Sequence, residues 1–82
     1  MTPDQMKAAR LLLGWSIPKL GIRSGTSPYM VKTYEQTGRV ILPHIRTKRD
    51  GALAAVRVAL EAAGIEFTNG DEPGVKLRKQ DQ

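Results

Sequence analysis

The sequence predicts a mainly α fold: four helices closed by a short C-terminal β-hairpin. Three observations carry the prediction. Start and stop residues punctuate four segments before Gly64, with apolar residues recurring at helical spacing inside them. After Gly64 the period drops to two. Apolar and polar residues alternate in Ile65-Glu66-Phe67 and in Val75-Lys76-Leu77, around a stretch rich in turn residues from Asn69 to Gly74. Between Ser16 and Gly38, two short helices with separate start signals are joined through Gly25, the layout of a helix-turn-helix.

The first helix starts at Thr2 as a cap, with Pro3 at the first helical position and Gln5 completing a capping box. Met6, Ala9 and Leu13 form its inward stripe, Arg10 sits on the edge of that stripe, and Gly14 is the stop. Trp15 follows as an expected core plug between helices rather than a stacking platform.

Ser16 caps the second helix, where Pro18 is tolerated because it lies in the first turn. Ile17, Leu20, Gly21 and Ser24 share its inward face. Gly21 costs about 1 kcal/mol against Ala, and the expected compensation is close approach of the next helix. Gly25 ends this helix in a left-handed conformation, and Ser27-Pro28 starts the third. There Val31 and Tyr34 point inward, Met30 is placed on the boundary, and Tyr29, Lys32, Thr33 and Gln36 point outward.

The segment from Gly38 to Asp50 reads as a basic loop holding Pro43 and His44, and either Thr47 or Asp50 caps the fourth helix. Leu53, Val56, Ala59, Leu60 and Ala63 form that helix's core stripe. A weaker row of Ala55, Val58 and Ala62 is available to cover the hairpin or to meet a second subunit. The expected organisation is a helical domain over 1–64, a hairpin extension over 65–78 that is a possible dimerisation element, and a flexible tail over 79–82.

With 82 residues the chain is one small domain. It has no cysteine, so helix packing or a partner subunit must supply what a disulfide or thiolate–metal site would. Apolar runs such as Leu11-Leu12-Leu13 fall far short of a membrane span, and the N-terminus has no signal-peptide pattern. A cytoplasmic protein without membrane contact is expected. His44 is a lone histidine with no neighbouring acid, so no metal set is predicted, nor any cofactor or small-molecule ligand. No activated nucleophile, paired acids or phosphate-cradling glycine loop points to an enzyme.

Charge is where function becomes readable. The net charge is +5, but residues 16–49 alone carry Lys19, Arg23, Lys32, Arg39, Arg46, Lys48 and Arg49 against the single acid Glu35. Such an excess, coincident with a helix-turn-helix, is the footprint of a polyanion partner, and double-stranded DNA is the expected one.

Residues 1–64 resemble the Cro/C1-type (XRE) helix-turn-helix regulators of bacteria and phages. The resemblance lies in Arg10-Leu-Leu-Leu-Gly-Trp-Ser16, in the turn from Leu20 through Gly25 to Ser27, and in Val31, Glu35 and Gly38 at the exit. The ending Leu60-Glu-Ala-Ala-Gly-Ile-Glu-Phe67 with Gly74-Val-Lys-Leu-Arg78 is similar to short alphaproteobacterial members, some carried on mobile elements. The resemblance implies a lambda-repressor-like fold and a structural ion pair between Arg10 and Glu35. Two departures matter. Ile17 replaces the glutamine by which relatives reach a phosphate, leaving that contact to Lys19 or Arg23, and Ile22 is apolar on the solvent side.

The expected mechanism is equilibrium binding without chemistry, the third helix entering the major groove. Pro28, Tyr29, Lys32 and Thr33 are the expected base contacts, with specificity leaning on Lys32, Thr33, thymine methyls and DNA shape. Lys19, Arg23, Thr26, Ser27, Gln36, Arg39, Arg46, Lys48 and Arg49 are the expected phosphate contacts. One such domain contacts too little DNA for selectivity, so a homodimer through the hairpin and fourth helix is expected on a near-palindromic site. The alternative is an antitoxin or protein-binding adaptor reusing the fold, with Ile22 and the Ala55/Val58/Ala62 row as its adhesive surfaces.

Overall fold

The first three helices are laid down by one repeated local device. Thr2, Ser16 and Ser27 each accept a backbone N–H three residues on, and each is followed by a proline in the first helical turn. Gly14, Gly25 and Gly38 then close the helices in the left-handed region, at φ of 69°, 70° and 74°. At the first helix the capping box is complete, Thr2 Oγ1 accepting from Gln5 N while Gln5 Oε1 accepts from Thr2 N.

The computed structural model describes residues 1–40, 49–68 and 74–78, with the backbone alone at Arg49 and Asp50. The elements are α1 (Pro3–Leu13), α2 (Ile17–Ser24), α3 (Pro28–Thr37), α4 (Arg49–Ala62), β1 (Ile65–Thr68) and β2 (Gly74–Leu77). The fold is mainly α with a short antiparallel hairpin, in which Ile65 pairs with Leu77, Glu66 with Lys76, Phe67 with Val75 and Thr68 with Gly74. Pro43, His44 and Thr47, the predicted turn over 69–73 and the predicted tail over 79–82 lie outside the described residues. Asp50 falls inside α4 and is not its cap.

One core joins the four helices and β1: Met6 and Ala9 from α1, Leu20 from α2, Met30, Val31 and Tyr34 from α3, Ala52, Val56 and Leu60 from α4, and Ile65 from β1, with Val75 of β2 partly buried against it. Two sequence expectations need correction. Met30, placed on the boundary of α3, is fully buried and belongs to the shared core cluster. On α4 the buried stripe is Ala52, Val56 and Leu60, while Leu53, Ala59 and Ala63 are half-buried. The helix packs against both α2 and β1.

The hairpin docks on the helices. Gln5, the one buried polar residue among the described residues, donates from Nε2 to the carbonyls of Thr68 (3.3 Å) and Gly74 (3.0 Å), so α1 holds the mouth of the hairpin. Arg57 lies 5.1 Å from the centre of the Phe67 ring, and Arg78 donates to the Glu61 carbonyl at 2.9 Å. The hairpin thus sits over the Arg57/Glu61 side of α4. The row Ala55, Val58 and Ala62 does not cover it, and Val58 is 63% exposed.

Candidate nucleic-acid interface

The α2–α3 corner is fixed by backbone contact. A Cβ added at Gly21 would lie 2.5 Å from Pro28 N and 2.6 Å from Ser27 C, distances no real Cβ tolerates. The corner is locked further by Thr26 N–H donating to the Gly21 carbonyl and by the 2.7 Å hydrogen bond between the Ser24 and Thr26 hydroxyls. The close approach expected at Gly21 is therefore real, and it sets the angle at which α3 leaves the domain.

The exit of α3 is fixed by the ion pair. Arg10 Nε and Nη2 each stand 3.0 Å from a Glu35 carboxylate oxygen, a bidentate pair, and Nη1 donates to the Trp15 carbonyl at 3.1 Å. The two side chains are only 11% and 5% exposed. With each guanidinium nitrogen donating one bond, α1, the α1–α2 turn and α3 are tied at one point. Removing either partner would leave a charge buried and unpaired, at a cost of about 3–5 kcal/mol.

On the far side of α3, Tyr29 is 53% exposed, and Pro28, Lys32 and Gln36 are exposed. Thr33 is half-buried, with its hydroxyl turned back on the helix carbonyls of Tyr29 and Met30. The structure thus brings the four expected base-contacting residues onto one outward surface of one helix. The start of α3 is less open to an anion than the sequence suggested. Pro28 has no N–H, the amide of Met30 is taken by Ser27 Oγ, and that of Thr26 by Gly21. What remains there for a phosphate is the Ser27 hydroxyl proton and the backbone amides of Ser27 and Tyr29.

The cations divide into two groups. Lys32 lies on the outward surface of α3, and Arg39 follows it just beyond the Gly38 cap, its amide donating to Thr37 Oγ1. Lys19 and Arg23 are drawn elsewhere, at 5.6 and 5.7 Å from the centre of the Trp15 indole. Trp15 is half-buried against the core, so it is both the plug that was expected and a platform that was not. The spacing could have disclosed this: Trp15, Lys19 and Arg23 recur at intervals of four residues. None of Lys19, Arg23, Lys32 and Arg39 forms an ion pair with a described carboxylate. Arg46 and Lys48, and the side chain of Arg49, lie outside the described residues.

Arg23 also borders an open groove of about 530 Å³ between α2 and α4, floored by Gly51, Ala55, Val58 and Ala62. Ile22, at 75% exposure, is the most exposed large apolar residue of the described chain. Among the described residues no group of His, Cys, Asp or Glu side chains could hold a metal ion, and no helix is long and apolar enough to cross a membrane. Compared with protein-family models and with curated proteins, the chain matches none of them.

Proposed function

We propose that this protein is a sequence-specific DNA-binding transcriptional regulator, acting in the cytoplasm on the nucleoid and similar in kind to the Cro/C1-type family. The observation that supports it most is the outward surface of α3. Tyr29, Lys32 and Gln36 stand clear of the core, with Thr33 half-buried beside them, on a helix whose angle and exit are both rigidly fixed. An α-helix with one such free face fits the major groove, where lysine suits guanine O6 and N7 and an aromatic ring packs on a methyl. The reaction is binding alone, and no catalytic step is proposed.

Phosphates are neutralised by Arg39, by Lys19 and Arg23 from the Trp15 platform, and by Arg46, Lys48 and Arg49, while Thr26, Ser27 and Gln36 add neutral contacts. A homodimer, formed through the hairpin and α4, places two α3 helices on half-sites about 34 Å apart or a multiple of that. Footprinting on the DNA flanking the gene, repeated over a salt series, tests this. A protected near-palindrome with affinity falling steeply in salt is expected; protection without sequence preference would exclude a regulator. Lys32→Ala should cost about 1–3 kcal/mol on the preferred site and much less on random DNA.

A second reading is a protein-binding adaptor, favoured by the Gly51/Ala55/Val58/Ala62 groove and by Ile22. Tight binding to a co-expressed protein with only nonspecific DNA affinity would select it.

A further inference from the structure

Thr33 lies on the outward surface of α3, yet its Oγ1 stands 2.9 Å from the Tyr29 carbonyl and 3.2 Å from that of Met30, and donates its proton there. A hydroxyl has one proton. What Thr33 can offer a ligand is therefore a lone pair and a methyl group. Its neighbours strengthen that bias: Pro28 contributes an exposed hydrocarbon ring and no N–H, and Tyr29 an exposed aromatic ring. The start of α3 is an apolar strip, with Lys32 beside it as the charged donor.

In the major groove the apolar feature of a base edge is the methyl at pyrimidine C5, present on thymine and created on cytosine by C5-methylation. Resting on the DNA-binding function proposed above, we infer that Tyr29 and Thr33 recognise a pyrimidine C5-methyl group, so that cytosine methylation at that base pair raises affinity and regulates occupancy. The lone pair of Thr33 sharpens the match. It complements the N4 amino donor of cytosine and opposes the O4 acceptor of thymine, which makes 5-methylcytosine at least as well suited to the surface as thymine.

The test starts from the full chain and a pool of random-sequence duplexes, from which bound DNA is selected and sequenced. The recovered duplex is then remade with deoxyuridine for thymine, or 5-methylcytosine for cytosine, one position at a time, and titrated by fluorescence anisotropy. At one base pair in each half-site, losing the thymine methyl should weaken binding about fourfold, or gaining the cytosine methyl should strengthen it as much, the worth of one buried methyl. Thr33→Ser, which keeps the hydroxyl and its helix bonds, should abolish most of that difference, and Tyr29→Ala should reduce it. Because the first arm alters only the DNA, misfolding cannot imitate the result. A preferred duplex with no methyl-sensitive position would overturn the inference and leave DNA recognition standing. So would a methyl effect unchanged in both variants. A pool that yields no preferred duplex would remove the DNA-binding function itself.

Discussion

The α2–α3 corner and the α1–hairpin junction are both places where distant segments meet, and they are built on different principles. The corner is backbone against backbone: Gly21 admits Pro28 at a distance where any side chain would collide, and the ion pair behind it is buried. The junction is made by a side chain reaching across, Gln5 of α1 to two hairpin carbonyls, with Arg57 of α4 reaching the Phe67 ring beside it. Side chains rotate and can be replaced by water, whereas backbone contacts give way only if whole helices move. The rigid principle is used where α3 must be aimed, and the adaptable one where a small hairpin must simply stay attached.

The sharpest way to break that contrast is at the ion pair. Arg10→Ala leaves Glu35 buried and unpaired and should cost about 3–5 kcal/mol in urea denaturation. That is a large share of the roughly 5–15 kcal/mol available to a small domain. Arg10→Met combined with Glu35→Leu should recover much of the loss, since an apolar pair leaves no orphaned charge. If the double variant were no more stable than the single, the guanidinium's bond to the Trp15 carbonyl, rather than the charge pair, would be what holds α3.

Next in size is Gly21→Ala. Alanine is the better helix former, so on propensity alone the change would stabilise by about 1 kcal/mol. The collision with Pro28 N and Ser27 C reverses the sign, and a net loss of about 1–3 kcal/mol is expected, with α3 displaced. On the proposed function, specific DNA binding should fall further than stability does, because aim is lost before folding. Equal loss of both would mean that the corner supports the fold without orienting the helix.

Much of this was legible in the sequence because it is written locally. Thr2-Pro3, Ser16 with Pro18, and Ser27-Pro28 announce three helix starts; Gly14, Gly25 and Gly38 announce the ends; and the change of period at Ile65 announces the hairpin. The Arg10–Glu35 pair was implied by resemblance and is present. The features missed are those in which a side chain serves two masters. Gln5 was assigned to its capping box through Oε1, but its Nε2 remained in need of acceptors and found them across the molecule. Trp15, expected as a core plug, also presents its ring to Lys19 and Arg23, because an indole is large enough to bury one part and present another. Thr33 was placed on the outward face, which periodicity can give, but the committed hydroxyl depends on a rotamer, which periodicity cannot. That Ala52 rather than Leu53 is buried on α4 is set by tertiary packing, again beyond a single segment's pattern.

At the hairpin junction the effects should be smaller and should separate by burial. Gln5→Leu removes three hydrogen bonds, those to the carbonyls of Thr68 and Gly74 and the capping bond from Thr2 N, at a part-buried seam, for about 1–3 kcal/mol. The hairpin amides should gain hydrogen-exchange rate while those of α3 keep theirs. Slowed exchange in the hairpin would mean that leucine packs there better than glutamine bonds.

The smallest effect is expected at the Glu66–Lys76 pair. The two residues are directly opposite in the antiparallel ladder, with Lys76 Nζ 3.3 Å from the carboxylate, yet both are well exposed to solvent. Water and salt screen such a pair, so Lys76→Ala should cost only about 0.2–1 kcal/mol, and less as salt is raised. Arg78, which also reaches Glu66 and is bonded to the Glu61 carbonyl, remains to compensate the charge. A loss as large as that for Gln5→Leu, persisting at high salt, would show that the strand pairing itself, and not the anchorage to α1, keeps the hairpin in place. The two meeting points of the molecule would then differ less in their construction than their burial suggests.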